Sequence, residues 1–219
     1  MQVKLISYSQ PAEEGFSKPI DLVAYCAKVS NPAAQDNMST APKLLKYLAD
    51  NAHWSPFEMV SVCIEIITTR DIARQILRHR SFSFQEFSQR YADPSALGDM
   101  YTPREARLQD KKNRQNSVEV EDMRLQERWE EWQGHVQGAA QEAYNWAIQH
   151  GIAKEQARVV LPEGNTISKL YMAGTLRSWI HYVELRSGNG TQKEHKEIAV
   201  AIGEIIKELY GIDCVTRSA

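Results

Sequence analysis

The chain has 219 residues and a formal net charge of −2, from 28 acidic and 26 basic side chains. That length suits one large domain or two small ones with a real apolar core. The near-neutral balance excludes a global field that would gather DNA or RNA, so no nucleic-acid partner is expected.

Three cysteines, Cys26, Cys63 and Cys214, are far apart and outside any Cys-x-x-Cys pattern, so neither a disulfide framework nor a zinc knuckle is expected. The histidines show no ligand spacing, and no metal is expected. Apolar runs fall short of a membrane span and MQVKLISYSQ lacks a signal-peptide core; a cytoplasmic protein without a membrane partner is the expectation.

In chain order, the opening MQVKLISYS alternates as a half-buried strand. Helical spacing runs from Gly15 to about Val29, closed by Asn31-Pro32, and again from about Ala41 to Ala52. Met59 to Thr69 alternates, with Val60, Val62, Ile64 and Ile66 on one face. Thr69 is placed to cap a helix whose Ile72, Ile76 and Leu77 pack inward, while Arg70, Arg74 and Arg78 form an i, i+4 stripe elsewhere on it. Ser81 to Tyr91 reads as extended, which would put Glu86, Ser88 and Arg90 on one face. Residues 103–122 are polar and read as a surface excursion.

From Met123 to His150, Leu125, Trp129, Trp132, Val136, Ala139, Ala143, Trp146 and Ala147 follow the helical period. Those tryptophans read as core or subunit interface rather than a cofactor box. Ala153 to Val160 is a short helix, Thr166 to Ala173 a strand, and Thr175 to Leu185 a helix with Leu176, Ile180 and Val183 inward. A last helix runs from about Thr191 to Leu209, ended by Gly211. Strands and helices interleave without regular βαβ alternation, so the expected class is α+β, a single domain over 1–219.

The densest chemistry is RHRSFSFQEFSQRY, Arg78 to Tyr91. Arg78, Arg80 and Arg90 are permanent cations with forks that match phosphate oxygens, and His79 adds an imidazole. Gln85, Glu86 and Ser88 can hydrogen-bond the edge of a base. A second element is His53-Trp54-Ser55-Pro56-Phe57-Glu58. A third is Leu176-Arg177-Ser178-Trp179-Ile180-His181 through Arg186. Arg177 and His181 share a helical face, whereas Arg186, nine positions after Arg177, falls about half a turn away.

The skeleton Arg78-His79-Arg80, seven residues, Ser88-x-Arg90 resembles the signature of the flavin-dependent thymidylate synthases. HxSPFE, ARVVLP and the Arg177–Arg186 run resemble further motifs of that family, in the same order. The resemblance implies the family's mixed helix-and-sheet domain and FAD-dependent reductive methylation of dUMP to dTMP. In it, 5,10-methylenetetrahydrofolate donates the carbon and NADPH reduces the flavin. It assigns dUMP to Gln75, Arg78, Glu86, Ser88, Gln89, Arg90, Arg158 and Arg186, with Arg186 as the catalytic group. It assigns FAD to Ser55, Arg78, His79, Arg80, Glu86, Arg177 and His181. It also implies a homotetramer with sites shared between subunits.

The residue types suit these tasks. A nucleotide dianion needs cations such as Arg90 and Arg158, and a uracil ring needs partners such as Gln75, Glu86 and Arg186. A guanidinium beside O2 and N3 would stabilise charge developing on the ring. Ser88 lacks an activating base in sequence and is expected to bind rather than attack. Two other classes fit the arginines: a flavoprotein reductase acting on another nucleotide, and a nucleotide- or RNA-binding module that stacks bases on Phe82, Phe84 and Phe87.

Overall fold

The computed structural model describes residues 1–12, 15–16 and 18–215. In chain order it has β1 (Gln2–Tyr8), α1 (Pro19–Ala27), α2 (Ala41–Asp50), β2 (Ser61–Thr69), α3 (Arg70–Ile76), β3 (Ser83–Glu86), β4 (Arg107–Gln109) and β5 (Ser117–Glu119). Then follow α4 (Met123–Gln149), α5 (Lys154–Ala157), β6 (Ile167–Thr175), α6 (Leu176–Ser187) and α7 (Lys193–Tyr210). Four strands form one sheet in the order β1-β2-β6-β3, and β4 pairs antiparallel with β5. The α+β class is as expected. No helix among the described residues is long and apolar enough to cross a membrane.

The chain divides into two compact units. One holds Met1, Ile67–Arg78 and Gln85–Leu170; the other holds Gln2–Ile66, His79–Phe84 and Tyr171–Ala219.

The second unit has the larger apolar centre. Val62, Ile64 and Ile66 of β2 are buried, alternating with more exposed neighbours as their period-two pattern requires. Leu176, Trp179, Ile180 and Val183 of α6 and Ile198, Ile202 and Ile206 of α7 are buried with them. Each such side chain contributes roughly 1.5–3 kcal/mol when fully removed from water. The Trp179 indole N–H donates to the Val62 carbonyl at 3.1 Å, so its polar edge is satisfied inside the core. Thr175 caps α6 by accepting from the Ser178 N–H, and Gly211 (φ +68°) closes α7 in the left-handed region.

In the first unit Met100, Tyr144, Ala147 and Ala157 form a core cluster with Leu161 and Ile148 against it. Gln133 of α4 is buried and exchanges two 2.8 Å hydrogen bonds with the Arg104 backbone. The Arg104 guanidinium then donates to Thr69 Oγ1 (2.6 Å) and Asp71 Oδ1 (2.7 Å). This network explains one departure from expectation. Thr69 occupies the N-cap position of α3, but its hydroxyl donates to Asp71 instead of capping a backbone N–H.

Other differences have local causes. α1 starts at Pro19, not Gly15, because proline suits the first helical position; residue 17 of the expected span lies outside the described residues. The strand expected from Met59 begins at Ser61, after a 3-10 turn over Ser55–Glu58. The polar segment 103–122 contains the β4–β5 hairpin, with Leu108 opposite Val118. Its turn is organised by Asp110, which accepts from the N–H groups of Lys112 and Asn113 and from the Asn116 amide. Those bonds, the Asn116 one first, hold the Asp110 carboxyl below its ordinary range.

The largest correction concerns α4. Its inward face is Gln133, Ala140, Tyr144 and Ala147. Trp129, Trp132 and Trp146 are 44%, 52% and 56% exposed, so they are not core of this chain. Leu125, Trp129, Trp132, Val136, Ala139, Ala143 and Trp146 repeat at alternating steps of four and three along the exposed side. That is the 3.5-residue seam of helices that pack on other helices.

Candidate active site

In the first unit, β3 stops at Glu86 and the chain turns. The N–H groups of Tyr91 and Ala92 donate to the Ser88 carbonyl at 3.0 and 3.1 Å, and Ser88 Oγ accepts from the Arg90 N–H at 3.4 Å. The expected row of Glu86, Ser88 and Arg90 along one strand face is therefore wrong, because a turn closed by Ser88 replaces the strand after Glu86. Each side chain finds a separate partner. Glu86 Oε1 accepts from the Ser168 hydroxyl at 2.8 Å and lies 3.7 Å from Arg70 Nη1. Arg90 pairs with Glu155 at 3.2 Å.

Beside this turn lies a cavity of about 350 Å³ lined by Arg70, Arg74, Gln89, Glu155, Arg158 and Glu163. Burial lowers the pKa of Arg70 and the Glu86 carboxylate partly offsets that; the hydrogen bond to Glu163 raises that of Arg74. Arg158 forms no ion pair among the described residues. Gln89 is only 3% exposed and its amide nitrogen has no hydrogen-bond partner among the described residues. A buried donor left unmade costs about 1–3 kcal/mol, so this one is poised for an oxygen of a ligand or water. Of the expected nucleotide residues, Gln89 and Arg158 line this cavity. Glu86 is tied to Arg70 on its wall, Arg90 is tied to Glu155 on its wall, and Gln75 sits on α3. Arg78 lies past the end of that helix, exposed, with its N–H on the Gln75 carbonyl.

The second unit holds the remainder. A cavity of about 590 Å³ is lined by Tyr25, Cys26, Ser30, Gln35, Ser55 and Met59, among others. Its size falls within the ~300–1,000 Å³ of small-molecule sites, and its mainly apolar wall with the Ser30 and Ser55 hydroxyls suits an apolar ligand with polar edges. Burial raises the Cys26 thiol pKa, which keeps it protonated. The half-turn offset on α6 is realised. Arg177 pairs with Glu58 and His181 lies edge-to-face on Trp54, with centroids 4.6 Å apart, both partners coming from the HxSPFE segment. Arg186 instead donates its Nε–H to His79 Nε2 at 2.9 Å. Arg80 is exposed. No group of three or more His, Cys, Asp or Glu among the described residues could hold a metal ion.

Sequence reasoning passed over Arg70, Arg74, Glu155 and Ser168 in the first unit and Ser30, Tyr182 and His195 in the second. Only the arginine stripe on α3 gave a signal, and it read as partly structural.

Cations around a buried amide donor suit a small anionic ligand, and hydroxyls beside an apolar cavity suit a ligand with polar edges. Residues 4–210 match the family described as thymidylate synthase complementing protein. A probable flavin-dependent thymidylate synthase of Paramecium bursaria Chlorella virus 1 is 49% identical over 213 residues, 97% of each chain. A flavin-dependent thymidylate synthase of Synechocystis sp. is 47% identical over 213 residues, 96% of each chain. Among solved structures, the UMP/dUMP methylase PolB of Streptomyces cacaoi, bound with 5-Br dUMP, is similar with a TM-score of 0.77 and 25% identity, covering 95% of this chain and 90% of that one. The chain belongs to the flavin-dependent thymidylate synthase family.

Proposed function

We propose that this chain methylates dUMP to dTMP, with FAD bound, 5,10-methylenetetrahydrofolate as carbon donor and NADPH as reductant. Family membership supports the reaction class, and the PolB structure supports a pyrimidine nucleotide as ligand. Within the chain, the observation that carries the reading is the unpartnered Gln89 amide in an arginine-lined cavity. A nucleotide monophosphate brings a dianion for Arg158 and Arg90 and oxygens for a buried donor. Gln75, Arg78, Glu86 and Ser88 complete the nucleotide set.

Replacing C5–H of the uracil by a methyl group requires a ring rich in electrons at C5, and a cation against the O2/N3 edge stabilises negative charge that the ring takes on there. Arg186 is assigned to stabilise that charge. It is half-buried and forms no ion pair among the described residues, so its cation is not already spent. Ser55, His79, Arg80, Arg177 and His181, with Arg78 and Glu86, are assigned to FAD, which supplies the hydride chemistry when bound.

The assembly is a homotetramer with shared sites, in the cytoplasm. The exposed Leu125–Trp146 seam of α4 supports a second copy packing on it. Phe82 packs on Trp179 with centroids 4.6 Å apart, which counts against its use as a stacking platform for RNA bases.

The test is an absorbance spectrum of purified protein, then dTMP formation with dUMP, folate and NADPH supplied or omitted singly. A yellow protein that needs all three is expected. A colourless protein that takes up no FAD overturns the reading, and turnover without folate favours a reductase of another nucleotide.

A further inference from the structure

We infer that Tyr182 and His195 are positioning residues that fix the His79–Arg186 pair, and so set the orientation in which the Arg186 guanidinium meets substrate. The inference rests on the role assigned above to Arg186.

The Arg186 Nε–H donates to His79 Nε2 at 2.9 Å. A guanidinium can only donate, so Nε2 must carry the lone pair and His79 must be neutral, with its proton on Nδ1. The bond tethers Nε and leaves the two terminal amino groups as the planar fork. His79 is held by a second surface: its ring meets that of Tyr182 edge-to-face, centroids 4.8 Å apart. Tyr182 is 1% exposed, and its hydroxyl lies 3.0 Å from Nε2 of His195, which is fully buried. The His195 ring in turn lies 6.2 Å from that of His79. Three elements of the second unit thus converge: α6 supplies Tyr182 and Arg186 one turn apart, α7 supplies His195, and the RHR loop supplies His79.

The electrostatics agree with fixed, neutral partners. Burial first, then the nearby Arg186 charge, holds His195 down to about 3. Burial pushes the Tyr182 phenol well above its ordinary value, only partly offset by Arg186. Neither group changes charge at any working pH. An apolar pair of similar volume would fill this space without the desolvation cost of a phenol and an imidazole. What the polar pair adds is direction.

Loss of the Tyr182–His195 bond should let the His79 ring and the fork reorient. Misplacement of a reacting group by about 1 Å costs about 10²-fold in rate, so a fall in kcat of about 10- to 100-fold with little change in KM for dUMP is expected. The experiment compares Tyr182→Phe, His195→Leu and His195→Gln in the flavin-loaded protein. The readouts are kcat, KM, flavin stoichiometry and long-range ¹H–¹⁵N NMR of His79. Wild type should show a single Nδ1–H tautomer. Tyr182→Phe and His195→Leu should keep flavin, mix the tautomers and lose kcat. His195→Gln, which keeps a neutral hydrogen-bonding group, should restore both.

An unchanged tautomer in Tyr182→Phe overturns the inference. So does normal kcat with mixed tautomers, or a His195→Leu protein that matches wild type. If His195→Leu fails to fold, Tyr182→Phe decides alone. If wild type itself forms no dTMP, the proposed function falls, and the tautomer comparison still decides the positioning.

Discussion

The ring of Phe82 occupies the space that a side chain on Gly174 would need: a Cβ there would lie 2.4 Å from Phe82 Cδ1 and 2.7 Å from Cε1. Phe82 follows the RHR triplet by two residues and also packs on Trp179. Gly174 therefore seats the loop that carries His79 and Arg80. Gly174→Ala should destabilise the protein by about 1–3 kcal/mol, the usual cost of overpacking. Thermal melts check this. Adding Phe82→Leu should recover part of the loss, because the smaller side chain frees the contact.

Arg186→Lys should keep flavin and lose turnover by about 10²–10³-fold, the typical cost of one preorganised donor. Lysine retains the charge but offers neither the planar fork nor the Nε–H that reaches His79. Ser88→Ala should be milder, since the Ser88 hydroxyl bonds its own turn. Steady-state kinetics separate the two. Complete loss in Ser88→Ala with dUMP binding intact would revive a nucleophilic serine.

Gln89→Leu should move stability and binding in opposite directions. The free protein loses a buried, unpartnered amide and should gain about 1 kcal/mol. Affinity for dUMP should fall about tenfold or more, because a ligand oxygen loses its donor. Chemical denaturation and dUMP titration check the two signs. A variant that loses stability without losing affinity would make Gln89 a packing residue.

Trp129→Glu with Trp132→Glu should split the oligomer while leaving each chain folded, since both side chains are about half exposed in the single chain. Light scattering with circular dichroism reads both properties. A wild-type monomer would end the shared-site assembly.

Co-expressed Arg177→Ala and Arg186→Ala should regain activity in verified mixed oligomers. Arg177 turns to Glu58 and Arg186 to His79, so one helix addresses two different neighbourhoods. If each site draws these residues from different chains, some mixed sites hold both wild-type side chains. Absence of rescue would place both in one site of one chain.

Much of this was legible locally. The alternation of Val62, Ile64 and Ile66 predicts β2 because sheet burial has the same period as the strand. The extended reading of Ser81–Tyr91 holds for Ser83–Glu86 and fails beyond it, where Ser88 starts a turn through its own carbonyl and hydroxyl. The α4 seam was visible as a period, but periodicity cannot say whether a face meets its own chain or another surface. Two helical stripes exist, and the tryptophans lie on the outward one.

Partners distant in sequence were out of reach. Arg74 meets Glu163 across 89 positions, and nothing near either residue announces it. His195 sits in a run of charged residues with no ligand or catalytic spacing. Its contact with Tyr182 exists only because α6 and α7 pack together.

Apart from Arg158, the arginines at the 350 Å³ cavity each face a carboxylate. Arg74 holds Glu163, Arg70 faces Glu86, and Arg90 is held by Glu155 on the cavity wall. An arriving phosphate would gain its first foothold at Arg158 and then displace carboxylates that cannot diffuse away. Binding there would be a swap between anions, with the glutamates acting as tethered competitors at a fixed local concentration. Such competitors weaken substrate and product alike, and they hasten the departure of whichever is bound.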